Sequence, residues 1–149
     1  MREKSDAQLY LRQVEKIDSI IRNKLIEQRQ WKDIAMGITA NMGGDKVQSS
    51  GSPSKMADAV VKCVDMEREI DSLVDKLIAT KKEVISTIEQ LDSPIGYNVL
   101  HLRYIQLKDL QEIADHYKRS YDWAKQTHRR ALKGVQRILD EKQCAEYLP

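Results

Sequence analysis

Apolar residues recur at alternating steps of four and three over the middle of the chain, and this spacing constrains the fold more than any other feature. Nine of the eleven stepped positions are apolar, and the full set is Met56, Val60, Cys63, Glu67, Ile70, Val74, Leu77, Lys81, Val84, Ile88 and Leu91. The period is typical of an amphipathic helix with one narrow apolar stripe. We therefore predict a helix over residues 55–91, with Ser54 as its N-cap and a length of roughly 55 Å at 1.5 Å per residue.

A stripe with the same period lies closer to the N-terminus. Seven of its nine positions are apolar, and the set is Tyr10, Val14, Ile17, Ile21, Lys24, Gln28, Trp31, Ala35 and Ile38. It predicts another amphipathic helix that starts near Ser5 or Asp6, with Asp6 able to cap it. Between the two stripes, residues 37–54 hold four of the six glycines and no apolar period, which indicates a flexible loop.

A long helix with one narrow stripe needs a partner helix to bury that stripe. We expect the first helix to fold back antiparallel on the second. A homodimer through residues 55–91 stays open, because the second helix is longer than the first. The chain has no Phe and only eight Trp and Tyr residues, which argues against a β-sandwich. The expected fold class is all-α, with a long, coiled-coil-like antiparallel helical hairpin over residues 1–92, a small helix-turn-helix domain over residues 93–140 and a tail over residues 141–149.

The net charge of +2 hides an uneven distribution along the chain. Residues 55–92 carry six basic and nine acidic side chains, a net −3, whereas residues 93–149 carry ten and seven, a net +3. Within that last part, residues 118–137 hold seven basic side chains and one acidic side chain, a local +6. Such a segment indicates a nucleic-acid partner, although a solvated helix face is the simpler alternative.

Several classes of protein are not expected from this sequence. It contains no run of 18 uncharged apolar residues, and no apolar core of a signal peptide follows its charged N-terminus. Cys63 and Cys144 lack the spacing of metal ligands, and so do the three histidines. No glycine-rich loop follows a strand pattern, so no nucleotide site is indicated. We expect a cytoplasmic protein with no enzyme activity, no metal and no cofactor.

The C-terminal third has the spacing of a helix-turn-helix motif. Ser93, followed by proline, predicts the start of one helix, and Asp109 with Glu112 predicts a capping box at the start of the next. That short helix ends near residue 117, and Ser120 then caps a basic helix from residue 121 to about residue 140. Ala114 provides the small side chain that two steeply crossing helices need where they meet.

The basic helix carries the side chains that read DNA in such motifs. We expect double-stranded DNA as the partner, with two sets of contacting residues. The candidates for base edges are Tyr121, Asp122, Lys125, Gln126 and Arg129. The candidates for phosphates are Lys118, Arg119, Ser120, Arg130, Lys133 and Arg137.

These segments resemble region 4, the helix-turn-helix of sigma-70-type RNA polymerase sigma factors. The resemblance covers residues 94–139 and rests on the ordered segments Leu100-His-Leu-Arg-Tyr104, Leu110-Gln-Glu-Ile-Ala114, Ser120 and Arg130-Ala131-Leu132. It implies that Tyr121, Asp122, Lys125 and Gln126 read bases. Tyr121 and Lys125 stand where arginines are frequent in that family, so the promoter element read by sigma factors is not carried over to this chain.

A helical hairpin with a Gly/Ser loop and a region-4-like end is similar to phage late-gene transcriptional regulators of the ArpU and RinA types. This resemblance implies activation of late genes in a bacterial host cell. In such a regulator the recognition helix enters the major groove, and the hairpin either forms a dimer or contacts RNA polymerase. Three alternatives stay open. In the first, the C-terminal part is a helical bundle with a solvated basic face. In the second, it is a module that binds polymerase or a sigma partner without reading DNA, and in the third the protein is a small terminase-like DNA-packaging subunit. Small terminase subunits usually carry their DNA-binding motif at the N-terminal end, which counts against the last.

Overall fold

The chain is helical throughout most of residues 5–37 and 53–147, which are the residues described by the structure, a computed structural model. The expected all-α class is confirmed, and the described residues contain no strand. In chain order the helices are α1 (Asp6–Leu11), α2 (Gln13–Ala35), α3 (Pro53–Ile88), α4 (Pro94–Leu100), α5 (Leu110–His116) and α6 (Tyr121–Tyr147). A π-helical turn over His101–Ile105 continues α4.

Two compact units divide the chain in a way that differs from the expected boundary at residue 92. The terminal unit comprises Met1–Lys16 and Leu77–Pro149, and the hairpin unit comprises Ile17–Lys76. The difference arises because α1 and the end of α3 pack with the C-terminal helices. The Ala7 N–H donates to Gln136 Oε1 at 2.9 Å, and Tyr10 Oη lies 2.8 Å from Thr87 Oγ1.

The hairpin unit consists of two antiparallel helices, as the paired stripes predict. Lys24 Nζ lies 2.6 Å from Glu69 Oε2, and further along α2 the amide of Gln28 donates to the Cys63 carbonyl at 3.2 Å. The residue numbers of the contacting positions therefore decrease along α3 as they increase along α2, which shows that the two helices are antiparallel. The predicted cap at Ser54 is wrong, because α3 already begins at Pro53. Most of the expected 37–54 loop lies outside the described residues.

The stripe on α3 is confirmed at every second predicted position and at Ile88, and it is wrong by one residue at Val60, Glu67, Val74 and Lys81. Ile70 and Val84 are buried as predicted, but Val60 is 51% exposed while its neighbour Ala59 is fully buried. In the same way Glu67 is exposed and Met66 is buried. Counted from Met56, successive positions of the observed stripe are separated by three and then four residues, whereas the predicted stripe has four and then three. Adjacent rows of an α-helix fit the same seven-residue period, so the period alone does not choose between them.

The core of the terminal unit draws on elements that are far apart in sequence. Its buried members are Ala7, Leu11, Val14, Val84, Ile88, Leu100, Tyr104, Ala131 and Val135. At the start of α1 the cap is Ser5 and not Asp6, because Ser5 Oγ accepts a hydrogen bond from the Gln8 N–H at 3.2 Å. At the other end α6 runs to Tyr147, so the predicted end near Asp140 is too early and most of the expected tail is helical. No described helix is both long and apolar enough to span a membrane.

Candidate nucleic-acid interface

The approach to the basic helix is built by local capping. Ser93 Oγ accepts from the Gly96 N–H at 3.1 Å, and Pro94 is the first residue of α4, so this predicted start is confirmed. The following π-helical turn closes with the Gln106 N–H donating to the His101 carbonyl at 3.0 Å. This turn contains Tyr104, which is fully buried in the terminal unit.

The next helix, α5, begins with the predicted capping box. Asp109 Oδ1 accepts from the Glu112 N–H at 2.8 Å, while Glu112 Oε1 accepts from the Asp109 N–H at 3.4 Å. Ala114 is fully buried, as expected where α5 crosses α6, and its carbonyl accepts from the Arg119 N–H at 2.9 Å. Lys118 adopts φ +54°, so the chain turns through the left-handed region before α6. The predicted order of a short capped helix, a tight turn and a second helix is therefore present.

Aromatic contacts hold the turn against the first residues of α6. Ser120 Oγ accepts from the Trp123 N–H at 3.1 Å, which confirms Ser120 as the N-cap of α6. The Trp123 ring meets Tyr117 edge to face at 5.5 Å, and the Arg119 guanidinium lies 5.7 Å from the Trp123 ring centre. These contacts fix the turn, so Lys118 and Arg119 are exposed beside the positive N-terminal end of α6.

One face of α6 is buried and the opposite face is solvent-exposed. The buried face is formed by Ala124, Thr127, Ala131 and Val135. At about 100° per residue, the side chains that point directly away from it are Asp122, Gln126, Arg129 and Lys133, and all four are exposed. Tyr121 and Lys125 flank this row and are also exposed. All five base-edge candidates therefore belong to one accessible surface, which we call the basic face.

Within the basic face the polar side chains orient one another. The Gln126 amide donates to Asp122 Oδ2 at 2.9 Å, and Lys125 Nζ lies 5.7 Å from the centre of the Tyr121 ring. The Gln126 carbonyl oxygen remains able to accept from a base, and the Lys125 ammonium remains able to donate. Both acceptor and donor chemistry are thus available to base edges in the major groove.

Arg130 and Arg137 lie on the flank of α6 that faces away from Lys125. There they line a cleft of about 600 Å³ together with Trp123 and residues 90–93, 95 and 96. Neither guanidinium forms an ion pair with a described residue. A Cβ at Gly134 would lie 2.6 Å from Leu91 Cδ2, so glycine allows the close approach of α6 to this wall. Two of the phosphate candidates therefore also belong to a concave surface.

A buried polar pair anchors α6 and is missed by the sequence analysis. Tyr104 Oη lies 2.6 Å from His128 Nε2, and the two rings stack with centres 5.6 Å apart. Burial, together with the positive charges of Arg103 and Arg12, lowers the pKa of His128 to about 4. The imidazole is neutral at pH 7 and packs against the π-helical turn that contains Tyr104. The sequence signal for this contact is limited to the aromatic residue that ends the Leu100–Tyr104 segment.

The described residues contain no group of three or more His, Cys, Asp and Glu side chains that could hold a metal ion. Cys63 and Cys144 are both free thiols, and Cys144 is exposed. Comparison with protein families, with curated proteins and with solved structures finds no match to this chain.

Proposed function

We propose that this protein is a DNA-binding transcriptional regulator that inserts the first half of α6 into the major groove. The observation that carries the proposal is the basic face. It begins directly after the Ser120 cap and follows α5, where Ala114 is fully buried, with Asp122, Gln126 and Arg129 all pointing away from the core. Recognition helices of helix-turn-helix proteins present base-reading side chains in this position.

The proposed contacts are of two kinds: contacts to base edges, which read the DNA sequence, and contacts to phosphates, which position the helix in the groove. Gln126 and Lys125 contact base edges, and Asp122 orients Gln126 and accepts from an exposed cytosine amino group. Lys118, Arg119 and Lys133 contact phosphates, together with the Ser120 hydroxyl at the helix N-terminus. Contacts to phosphates release counterions, so affinity falls as the salt concentration rises.

The biological setting of the proposal comes from the resemblance to region 4 of sigma factors and to phage late-gene regulators. On this basis we propose activation of phage or prophage late genes in the cytoplasm of a bacterial host. Pairing of two chains through residues 55–91 is compatible with this role, because two-fold symmetric proteins bind two-fold symmetric sites in DNA. Supporting features are the caps at Asp109 and Ser120, which fall where the resemblance requires helix starts.

A binding titration tests the proposal. The wild-type protein is titrated against duplex DNA from upstream of its own gene and against a random duplex of equal length, over a range of salt concentrations. We expect tighter binding to the upstream duplex and a log–log salt slope of about −4 to −8, corresponding to roughly five to nine phosphate contacts. Absence of binding to both duplexes at low salt would contradict the proposal.

A second candidate function is a module that binds RNA polymerase or a sigma partner without reading DNA. The cleft beside α6 favours it, because Trp123, Arg130 and Arg137 are the residue types that dominate protein interfaces and neither arginine is ion-paired with a described residue. The same titration separates the two candidates. A pure interaction module binds purified polymerase holoenzyme and gives equal, weak affinity for the two duplexes.

A further inference from the structure

The two helices of the hairpin unit are bridged on one side only. Lys24 pairs with Glu69, and the Lys62 ammonium lies 5.7 Å from the centre of the Trp31 ring. At about 100° per residue, Glu69 and Lys62 fall on the same side of the seam formed by Ala59, Met66 and Ile70. We call this the bridged side. Among the described residues, no ion pair, ring contact or hydrogen bond between side chains joins α2 to α3 on the other side.

Apolar side chains occupy that other side, which we call the open side. On α3 it carries Val60, Val64 and Val74, which are 51%, 44% and 37% exposed, and on α2 it carries Leu25, which is 48% exposed. By an approximate 100° per residue, each of the four lies roughly 60° to 140° from the buried seam of its own helix, on the same side of the hairpin. On the bridged side, the large exposed apolar residues among those described are Ile20 and Ile34 of α2, and each is 37% exposed. Clustered apolar exposure of this kind marks an interaction surface.

The charges of the open side differ between the two helices. On α2 basic side chains predominate, with Arg22, Arg29 and Lys32 against Asp18, whose carboxylate pairs with Arg22 at 2.9 Å, whereas on α3 the charges are acidic, with Glu67 and Asp71. The level of each residue along the hairpin follows from the contacts of Lys24 with Glu69 and of Gln28 with Cys63. By that register Arg22 is level with Asp71, and Arg29 is about one helical turn from the level of Glu67.

We propose that the open side binds the open side of a second copy of this chain, forming an antiparallel four-helix bundle. A two-fold axis parallel to the helices places α2 of each copy against α3 of the other and keeps residues at the same level. Arg22 then faces Asp71 of the partner subunit, and the valines and Leu25 form the shared core. A surface that is apolar and mainly basic on one helix but acidic on the other is self-complementary under this symmetry. This surface differs from a dimer interface through the whole of residues 55–91, because it uses only one side of α3 and also includes α2.

The first test measures molecular mass in solution by light scattering. We expect the wild-type chain to have twice its 17.2 kDa monomer mass, or 34.4 kDa. The variant Val60→Glu/Val64→Glu places charges in the shared core and should have the monomer mass with unchanged helix content by circular dichroism. Val61→Glu is the matched control, because Val61 is 58% exposed but points away from both sides of the hairpin. Ile34→Glu is a control on the bridged side, and both controls should stay dimeric.

The second test reverses charges on the open side. Arg29 and Glu67 are exposed, and neither forms an ion pair with a described residue. Arg29→Glu or Glu67→Arg alone should raise the dimer dissociation constant about tenfold, because symmetry repeats each like-charge contact twice. The combined variant should restore it to near the wild-type value.

Three outcomes would overturn the proposal. One is a wild-type monomer at about 0.1 mM, a concentration at which a dimer with micromolar Kd is nearly complete. Another is a dimer that Val61→Glu disrupts as strongly as Val60→Glu/Val64→Glu does, because the interface would then lie on another surface. The third is additive weakening in the combined charge-reversal variant, which would exclude the proposed juxtaposition of α2 and α3.

Discussion

The imidazole of His128 couples the stability of the terminal unit to pH. Its ring stacks on Tyr104 and its Nε2 lies 2.6 Å from the tyrosine hydroxyl, so charging it would place a cation beside Arg103 and Arg12 in a buried site. The folded-state pKa of about 4 lies below the ordinary value of 6.5. Between these values the unfolded chain binds a proton that the folded chain does not. The free energy of unfolding therefore falls as the pH is lowered from about 6.5 to about 4.

We predict that His128→Gln removes this component of the pH dependence, because glutamine can still contact the Tyr104 hydroxyl but does not titrate. Urea denaturation at pH 7 and pH 4.5 should show a wild-type loss that exceeds the loss in the variant by on the order of 2–3 kcal/mol. His116→Gln, at an exposed position of α5, is the control and should lose as much as the wild type. Equal losses in wild type and His128→Gln would contradict the assignment.

Gln126 and Lys125 are the residues on which sequence discrimination is proposed to depend. Changing both to alanine removes an amide that can read adenine and an ammonium that can contact guanine, each worth about 1–3 kcal/mol of discrimination. We predict that the ratio of affinities for upstream and random duplexes falls at least tenfold, with helix content unchanged since both side chains are exposed. Lys142→Ala removes a basic side chain near the far end of α6 and should preserve the ratio. An unchanged ratio in the double variant would exclude this reading surface.

The length of α6 separates its basic residues into two groups. Arg137 lies about 24 Å beyond Tyr121 along the helix axis, roughly twice the width of the major groove, and it lines the cleft. Lys133 lies on the basic face itself. We predict that Lys133→Ala reduces the magnitude of the salt slope by about 0.9, whereas Arg137→Ala reduces it less. Titrations over several salt concentrations measure both slopes, and equal reductions would place Arg137 on a phosphate after all.

Helix starts in the C-terminal third are predictable because capping is local. Ser93, Asp109 and Ser120 each accept from a backbone N–H three residues ahead, and a sequence window of four residues contains both partners. Which face of α3 is buried depends instead on the partner helix. Val60 and Ala59 both fit the period, and packing against α2 selects the smaller residue for the seam. The Tyr104 contact with His128 spans 24 residues and a π-helical turn, and no local pattern specifies it.

At the scale of the whole molecule, the helix-turn-helix depends on the N-terminus. Ala7, Leu11 and Val14 are fully buried with Tyr104, Ala131 and Val135, and the Ala7 N–H bonds to a glutamine 129 residues away in the sequence. A contact of that span is set by topology, so the local pattern of residues 1–16 predicts only a helix of the hairpin. The candidate reading surface is predictable from the sequence because it lies within one helix and its cap.

This dependence predicts how fragments behave. A fragment of residues 93–149 lacks α1 and the end of α3, so several apolar side chains of its core become exposed, at a cost of about 1.5–3 kcal/mol for each large one. We expect it to unfold non-cooperatively by circular dichroism and to lose DNA discrimination. A chain joining residue 16 to residue 77 through about six Gly and Ser residues retains the whole terminal unit. It should unfold cooperatively and keep the wild-type affinity ratio in assays of a single binding site. Cooperative unfolding and full discrimination by the 93–149 fragment would mean that α1 is dispensable.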